Sequence, residues 1–266
     1  MSSFGTIYKI TTFGESHCKA VGVIIEGVQP GFKLDLSKIQ HQLNRRRPGQ
    51  SNITTPRNEK DELIVLSGME NGLTLGTPLT IIVNNKDTRP QDYKFAKDYL
   101  PRPSHADLTY LWKYGIHAAS GGGRSSARET VSRVIGGAVA EQILDKYGIK
   151  IIAWTKQIYD IKLDLSKEEI KDLTRDKIDK FKTRCPNSEI SDKMEQLILN
   201  LKQKGDSVGG IVKCNISGVF RGLGEPVFDK LEAKLGQAML SIPATKGFEI
   251  GSGFDCVNFF ESQHND

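Results

Sequence analysis

Short apolar runs separated by turn residues fill the first third of the chain and predict strands. Each run is rich in Val, Ile, Leu or Thr and stops near Gly, Pro or Asn residues, which favour turns. Between the second and third runs, apolar residues at helical spacing follow Asp35 and predict a capped helix that reaches Arg45. The predicted strands cover residues 6–12, 21–28, 62–66 and 78–83.

The longest run with helical periodicity covers residues 130–147 and predicts a long helix. Ser126 and Glu129 stand just before it with the spacing of a capping box, in which each side chain binds a backbone N–H of the first turn. Gly136 and Gly137 lie in the middle of the run, where small side chains permit close packing against a neighbour.

The second half of the chain predicts a strand with a kink or bulge over residues 149–161. A helical region rich in Lys, Glu and Asp follows over residues 165–200, and we assign no chemistry to it. From Val208 a strand, a glycine turn and a helix with Pro226 at its start follow in the order seen near the N-terminus. This recurrence suggests an internal, pseudo-symmetric pair of sheet-plus-helix units.

Composition narrows the class of protein. The 266 residues are 38% hydrophobic and 26% charged, which is ordinary for a globular protein, and their formal net charge of +5 suits an anionic ligand. The four cysteines are scattered without a C-x-x-C pair, so neither a zinc site nor a disulfide framework is expected. The longest apolar run, residues 21–25, is too short to span a membrane, and the N-terminus has no signal-peptide pattern. We therefore expect a cytoplasmic protein.

The glycine-rich stretch before the long helix has the composition of an anion site. Residues 121–123 are all glycine, and Arg124 and Arg128 follow them at the helix start. Backbone N–H groups and the positive end of the helix dipole favour a phosphate there, and arginine can bind it with two hydrogen bonds. An ordinary capped helix with a flexible approach fits the same residues, and the stretch alone does not decide between them.

Two of the five histidines, His17 and His105, lie at polar turns, and His105 follows a long irregular stretch over residues 84–104. Each alone fits a structural histidine, whereas the pair with an arginine-rich phosphate site fits general acid–base chemistry on a phosphorylated substrate. Metal binding is not expected, because no two histidines have i,i+4 spacing and no carboxylate cluster joins them. The chain has no P-loop, no G-x-S-x-G elbow and no complete G-x-G-x-x-G motif.

Six stretches, in the same order as in the family, resemble chorismate synthases from the start of the chain to its end. The Ser-Ile-Pro-Ala sequence at 241–244 and the terminal His-Asn-Asp are most similar to the eukaryotic, fungal-like branch. The matching stretches are residues 13–17 (FGESH), 45–49 (RRRPG), 102–107 (RPSHAD), 121–129 (GGGRSSARE), 222–226 (GLGEP) and 241–247 (SIPATKG).

This resemblance implies an α+β fold, a β-α-β sandwich with a helical core between antiparallel sheets and internal pseudo-two-fold symmetry. Residues 1–266 would form a single domain of this kind. The implied reaction is the 1,4-elimination of phosphate from 5-enolpyruvylshikimate 3-phosphate to give chorismate, the last common step toward the aromatic amino acids. It requires reduced FMN without net redox change. The resemblance also implies a homotetramer, and it leaves open whether the chain reduces FMN itself with NADPH.

The resemblance also assigns roles at the positions that match the family's motifs. His17 resembles the acid that assists the departing phosphate, and His105 resembles the residue that protonates the reduced flavin. The resemblance assigns substrate binding to Ser16, Arg46 and Arg128, and cofactor binding to Arg124, Ser125, Ser126, Pro243 and Ala244.

The chain departs from the family's pattern in two places. Asn52 stands where bacterial members have a further substrate arginine. Members also normally continue past the position of residue 266, with a glycine-rich flavin segment and an Arg-His-Asp motif. If residues 1–266 are the whole protein, we expect weak FMN binding and poor turnover.

Two other functions stay open from the residues alone. The basic balance and residues 45–47 fit a non-catalytic anion- or nucleic-acid-binding module, whose affinity for nucleic acid would fall steeply with salt. The other is a flavin reductase, although no nicotinamide fingerprint is visible. We expect a small-molecule substrate, with neither nucleic acid nor membrane as a partner.

Overall fold

The computed structural model describes residues 1–54, 59–86, 101–116, 118 and 121–264, so most of the irregular stretch at 84–104 lies outside the described residues. The chain divides into two compact units. Unit 1 comprises Met1–Gln40, Asp61–Gly136 and Phe220–Asp266, and unit 2 comprises His41–Lys60 and Gly137–Val219.

The described part of unit 1 contains a five-stranded antiparallel sheet and a short separate hairpin. Four of its strands confirm the predicted strands, with shifted bounds. The strands are β1 (Ser3–Phe4), β2 (Lys9–Gly14), β3 (Ala20–Glu26), β4 (Leu63–Ser67), β5 (Met69–Glu70), β6 (Leu73–Thr74) and β7 (Leu79–Asn84). The sheet has the order β1-β2-β3-β7-β4, and β5 pairs with β6.

The core of unit 1 lies on one face of β3 and β7, where alternate residues point to the same side. Full burial of each such side chain stabilises the fold by roughly 1.5–3 kcal/mol. This burial holds β3 and β7 in place, and the turns at their ends carry the polar residues of the site described below. The buried residues, each at most 1% exposed, are Val21, Val23, Ile25, Leu79, Ile81 and Val83.

Two helices have residues in both units: α1 (Leu36–Arg46) and α3 (Thr130–Asp145). Asp35 accepts hydrogen bonds from the N–H and hydroxyl of Ser37 at 2.8 and 2.6 Å, which confirms its predicted place at the start of α1. Two 3₁₀ turns, Gly123–Ser125 and Ala127–Glu129, precede α3. The other helices in the described part of unit 1 are α2 (Asp107–Tyr114), α7 (Leu231–Leu240) and α8 (Glu261–His264), with a 3₁₀ turn at Gly253–Asn258.

The predicted capping box before α3 is wrong. Ser126 does cap, but its Oγ accepts from the N–H of Arg128 at 3.2 Å, and the residues that follow form a 3₁₀ turn. The carboxylate of Glu129 instead accepts hydrogen bonds from Thr12 Oγ1 and from Arg133 Nε, both at 2.9 Å. The Glu129 N–H donates to the Ser126 carbonyl at 3.0 Å, but the tighter turn directs the Glu129 carboxylate toward β2 and Arg133 and away from the Ser126 N–H.

Unit 2 contains a three-stranded antiparallel sheet of order β10-β8-β9. The strands are β8 (Lys150–Ile158), β9 (Ile161–Lys162) and β10 (Gly210–Ser217), and the helices are α4 (Lys167–Lys171), α5 (Arg175–Asp179) and α6 (Ser188–Gln203). The strand predicted over 149–161 is two strands, because Tyr159 takes φ +53° and turns the chain back. The predicted kink or bulge is present, since the register of β8 with β10 shifts between Ile211 and Val212. Two small cores are built around Trp154, Leu173 and Ile178, and around Leu163, Cys185 and Met194.

The helix predicted from Pro226 begins later than expected. Val227 takes φ +69°, a left-handed conformation that no helix accommodates, so α7 starts only at Leu231. Phe228 consequently lies outside the helix and is 89% exposed, although the sequence pattern predicts it on the apolar stripe.

Two adjacent glycines in α3 provide a matched test of its close packing. A Cβ at Gly136 would lie 3.0 Å from Cγ2 of Ile10, and the Gly136 carbonyl accepts the Tyr8 hydroxyl at 2.6 Å. A Cβ at Gly137 would meet nothing within 4 Å. We expect Gly137→Ala to raise the free energy of unfolding by about 1 kcal/mol through helix propensity. Gly136→Ala should be less stable than Gly137→Ala by about 1 kcal/mol or more, because Ile10 must move.

Urea denaturation of the two variants beside the unchanged chain measures both effects. Equal stabilisation by the two substitutions would contradict the close approach of α3 to β2.

Candidate active site at one end of the unit 1 sheet

The turn between β2 and β3 carries two predicted site residues. Ser16 is buried, at 2% exposure, and His17 beside it is half-buried. A hydrogen bond from the Cys18 N–H to the Glu15 carbonyl closes the turn at 3.3 Å. The Cys18 thiol also donates to the Glu15 carboxylate, which raises the pKa of the thiol and keeps Cys18 protonated near neutral pH. Cys18 and Glu15 are thus bonded to each other within the turn that carries His17.

The glycine-rich stretch forms a concave backbone loop. Gly122 is right-handed, with φ −67° and ψ −3°, and Gly123 follows with φ +53°. Such a succession turns consecutive N–H groups toward one point and makes a nest for an anion. Gly123 is buried, and a Cβ there would approach Cβ of Ala118 to 2.9 Å, so only glycine fits. The predicted anion site thus has a matching backbone geometry.

Two half-buried serines complete this loop. Ser125 Oγ donates to the Gly122 carbonyl at 2.6 Å, which fixes the loop internally. Ser126 is extended, with φ −67° and ψ 142°, and begins the next turn by accepting from the Arg128 N–H. Both hydroxyls therefore lie next to the nest.

Arg124 joins the loop to the sheet. Its Nη1 donates to the Gly14 carbonyl at 2.9 Å, and its Nη2 donates to Thr12 Oγ1 at 2.6 Å and to the Thr12 carbonyl at 3.2 Å. Glu129 lies 3.7 Å away and offsets its charge. The described hydrogen bonds of this guanidinium are thus with the end of β2, close to the turn that carries His17.

Arg128 is buried together with its counter-charge. Its Nη1 lies 2.5 Å from Asp61 Oδ1, with side-chain exposures of 2% and 0% for the two residues. Its Nε donates to Asn85 Oδ1 at 2.9 Å. Asp61 takes φ +51°, an unusual conformation for a residue with a Cβ, and Gln40 Nε2 donates to its carbonyl at 3.2 Å. Arg128 is therefore held in one orientation from two sides.

Arg133 connects the helix start to the second predicted cofactor segment. It binds Glu129 through Nε and donates from Nη1 to Ser241 Oγ at 2.6 Å. Pro243 and Ala244 follow Ser241 and are exposed, and Ala244 takes φ +67°. Arg133, which sequence reasoning missed, thus joins Glu129 to Ser241, residues that lie near the segments 124–126 and 243–244 in sequence.

His105 lies in an exposed turn before α2. Ser104 takes φ +62°, and the His105 N–H donates to the Arg102 carbonyl at 3.3 Å. Arg102 also holds Asp107 through Nε and Nη2, at 2.8 and 3.1 Å. These bonds lower the pKa of Asp107, and the charge of His105 adds to that effect. The turn is built around an ion pair and leaves the imidazole accessible.

Arg46 belongs to unit 2, where the arginines of the RRRPG motif divide their roles. Arg45 binds Asp179 through Nε and Nη2 at 2.6 and 3.1 Å, and Arg184 lies 3.0 Å from the same carboxylate. Burial raises the pKa of Asp179, but the hydrogen bond and charge of Arg45 outweigh it, and the pKa lies below its ordinary value. Gln50 Nε2 donates to the Arg45 and Arg47 carbonyls and shapes the loop.

The region at 165–200, to which the sequence assigns no chemistry, thus supplies the carboxylate that fixes Arg45. Arg46 next to it is half-buried. Of the motif's arginines, Arg45 has the structural role of binding Asp179.

Within the described ranges, no three or more His, Cys, Asp or Glu side chains are placed to hold a metal ion. No helix in the same ranges is long and apolar enough to cross a membrane.

These features define an α+β protein with antiparallel sheets and a site suited to a small anionic ligand. The site combines a histidine-bearing turn, a glycine nest and arginines fixed by carboxylates and backbone carbonyls. Comparisons with known proteins identify the family.

The chorismate synthase family model matches residues 8–266. A chorismate synthase from Prochlorococcus marinus (strain MIT 9215) is 55% identical over all of this chain, which spans 72% of that relative. The one from Schizosaccharomyces pombe is 50% identical over all of this chain and 73% of its own length. A chorismate synthase crystal structure matches with a TM-score of 0.77 at 31% identity, covering 98% of this chain and 73% of the other.

The chain belongs to the chorismate synthase family. It is a lyase of the shikimate pathway, and its reaction is the family's elimination of phosphate from 5-enolpyruvylshikimate 3-phosphate to give chorismate. The resemblance and the α+β fold expected from it are confirmed. That residues 1–266 act as one domain stays a prediction.

The buried pair of Asp61 and Arg128 has an exposed neighbour that serves as its control. We expect Asp61→Asn to lower the free energy of unfolding by about 3–5 kcal/mol, because it leaves the buried guanidinium without its counter-charge. Glu62→Gln should cost less than about 1 kcal/mol, because the pair of Glu62 with Lys86 is 58% and 61% exposed. Chemical denaturation measures both variants.

Equal losses from the two substitutions would show that the burial of Asp61 does not determine its contribution. The double variant Asp61→Leu with Arg128→Met should recover part of the loss, since it removes both charges together.

Proposed function

We propose that the unit 1 site carries out the elimination with His17 as the proton donor and Arg128 as a substrate-binding charge. One observation supports this most directly: Asn85 bonds both to the turn that carries His17 and to Arg128, which lies 43 positions further along the chain. A histidine and a fixed guanidinium at one sheet end are what departure of a phosphate requires. Ser16, buried in the same turn, is proposed to bind substrate as well.

The chemistry follows from the leaving group. Phosphate leaves poorly as a dianion, so positive charge and a proton at its oxygens lower the barrier. Arg128 is oriented before substrate arrives, which removes the need to reorganise it during the reaction. His17 would hold a proton at an imidazole nitrogen and transfer it to a phosphate oxygen as the C–O bond breaks. Arg46 is also proposed to bind substrate, as the resemblance implies.

We propose reduced FMN as the cofactor, and the residues at 121–126 fit it. The nest at Gly122 and Gly123 offers backbone N–H groups to a phosphate or a ring oxygen, and Ser125 and Ser126 offer hydroxyls. Because the described contacts of Arg124 are with β2, this arginine would act mainly by positioning the loop. When bound, reduced flavin supplies electron density transiently and recovers it, so no net redox change results.

Two further assignments complete the proposed cofactor site. His105 lies in an accessible turn and would exchange a proton with the flavin. Pro243 and Ala244 would contact the flavin through their backbone, which Arg133 and Ser241 tie to the helix start. The left-handed conformation of Ala244 is the kind of backbone strain that clusters at ligand sites.

We also propose a homotetramer in the cytoplasm. Apolar side chains exposed in unit 1 are compatible with association, among them Phe228 at 89%, Val257 at 81% and Phe254 at 79% exposure. The assay below resolves whether the chain also reduces FMN with NADPH.

Anaerobic phosphate release from 5-enolpyruvylshikimate 3-phosphate tests the proposal. With pre-reduced FMN we expect His17→Ala and His105→Ala each to slow release by about 10²-fold or more, because each loses a proton donor. His41→Ala, at an exposed histidine of α1 with no proposed role, should keep the unchanged rate.

Rates for the His17 and His105 variants equal to the unchanged chain would refute the acid–base assignment. A parallel assay with oxidised FMN and NADPH, in place of pre-reduced FMN, separates intrinsic flavin reduction from dependence on an external reductant.

A further inference from the structure

Asn85 is the first residue after β7, and both the NH₂ group and the oxygen of its side-chain amide form hydrogen bonds with other parts of the site. Its Nδ2 donates to the Glu15 carbonyl at 2.8 Å and to the Cys18 carbonyl at 2.7 Å. Its Oδ1 accepts from Arg128 Nε at 2.9 Å. One planar group thus joins the ends of the Ser16–His17 turn to the buried guanidinium.

The orientation of this amide is determined by its partners. Two backbone carbonyls can only accept, and the guanidinium of Arg128 can only donate. The NH₂ group must therefore face the turn and the oxygen must face Arg128. A flipped amide would place an oxygen against two carbonyl oxygens and an NH₂ against a cation.

The position of Asn85 follows from the sheet. β7 pairs with β3, and the Asn85 N–H donates to the Lys19 carbonyl at 3.0 Å, one step beyond the last strand pair of Ala20 with Asn84. The backbone of Asn85 is therefore fixed by the sheet, and its half-buried side chain contacts the backbone of the turn between β2 and β3. The turn and the arginine take their relative position from a group anchored in the core.

We infer that Asn85 is a positioning residue for the elimination, which sets the turn carrying His17 relative to Arg128. The inference rests on the proposed roles of those two residues. Asn85 itself need not touch substrate. Its effect on the reaction passes through the imidazole on one side and the guanidinium on the other.

Because small misplacements of a proton donor slow reactions strongly, loss of this amide should reduce catalysis. We expect Asn85→Leu, which keeps the shape and removes all three hydrogen bonds, to lower kcat by about 10-fold or more. Asn84→Leu is the matched control, since Asn84 is exposed one position earlier, and should stay near the unchanged rate.

A double-mutant cycle separates positioning from general destabilisation. Because part of the effect of Asn85 passes through His17, adding Asn85→Leu to His17→Ala should slow release by a smaller factor than Asn85→Leu slows the unchanged chain. Effects of the two substitutions that multiply would overturn the inference. Thermal unfolding and substrate affinity are measured in parallel, so that a loss of folded protein is not read as a loss of kcat.

A readout independent of turnover uses the imidazole itself. The ¹⁵N side-chain resonances of His17, assigned by their loss in His17→Ala, should shift in Asn85→Leu and in Asn85→Asp but not in Asn84→Leu. Asn85→Asp keeps an acceptor for Arg128 and replaces the donors that face the turn. Unchanged His17 resonances in both Asn85 variants would refute the geometry.

These outcomes distinguish the inference from the proposed function. If His17→Ala leaves the rate of phosphate release unchanged, the catalytic role of His17 is refuted. The His17 resonances would still report whether Asn85 positions the turn that carries His17. If His17→Ala slows phosphate release and Asn85→Leu releases phosphate as fast as the unchanged chain, only the positioning role of Asn85 is refuted.

Discussion

The buried ion pair between Arg128 and Asp61 is the constraint on which the unit 1 site depends. A guanidinium that leaves water loses several kcal/mol of hydration, and it is tolerated only where a carboxylate and further acceptors meet it. Asp61 provides that carboxylate at 2.5 Å, and Asn85 provides a second acceptor. Satisfying one charge therefore requires the start of α3, the residues before β4 and the end of β7 to meet at one place.

The short segment between the glycines and α3 binds the sheet with both of its other charged side chains. Arg124 reaches the carbonyls of Thr12 and Gly14, and Glu129 accepts from the Thr12 hydroxyl. A regular helical first turn would place these side chains differently, so the two 3₁₀ turns are the geometry that permits all three contacts with β2. The left-handed Gly123 then lets the chain arrive at that position without a clash. A loop held this firmly presents its N–H groups as a preformed site, which favours an anion more than a mobile loop would.

The parts of the structure that the sequence predicts are those with a local cause. The strands β2, β3 and β7 follow from apolar runs, and Ser126 was identified as a cap because a serine before a helix binds its first N–H groups. Asp61 and Asn85 were missed because their partner Arg128 lies 67 and 43 positions away, and a single polar residue carries no pattern that indicates so distant a contact. The resemblance to a family assigned roles to site residues that the spacing of residues along the sequence does not identify.

The three consecutive arginines show how the fold assigns roles that the sequence leaves equivalent. Asp179 binds Arg45 through two nitrogens and is approached by Arg184, so this carboxylate has a pKa below its ordinary value. A lowered pKa means that the network contributes stability above the pH at which the unfolded carboxylate titrates, and loses it as the pH falls through the folded value. At neutral pH the carboxylate is ionised and Arg45 is committed to it. Gln50 then ties the carbonyls on either side of Arg46, so the backbone of Arg46 is set by its neighbours.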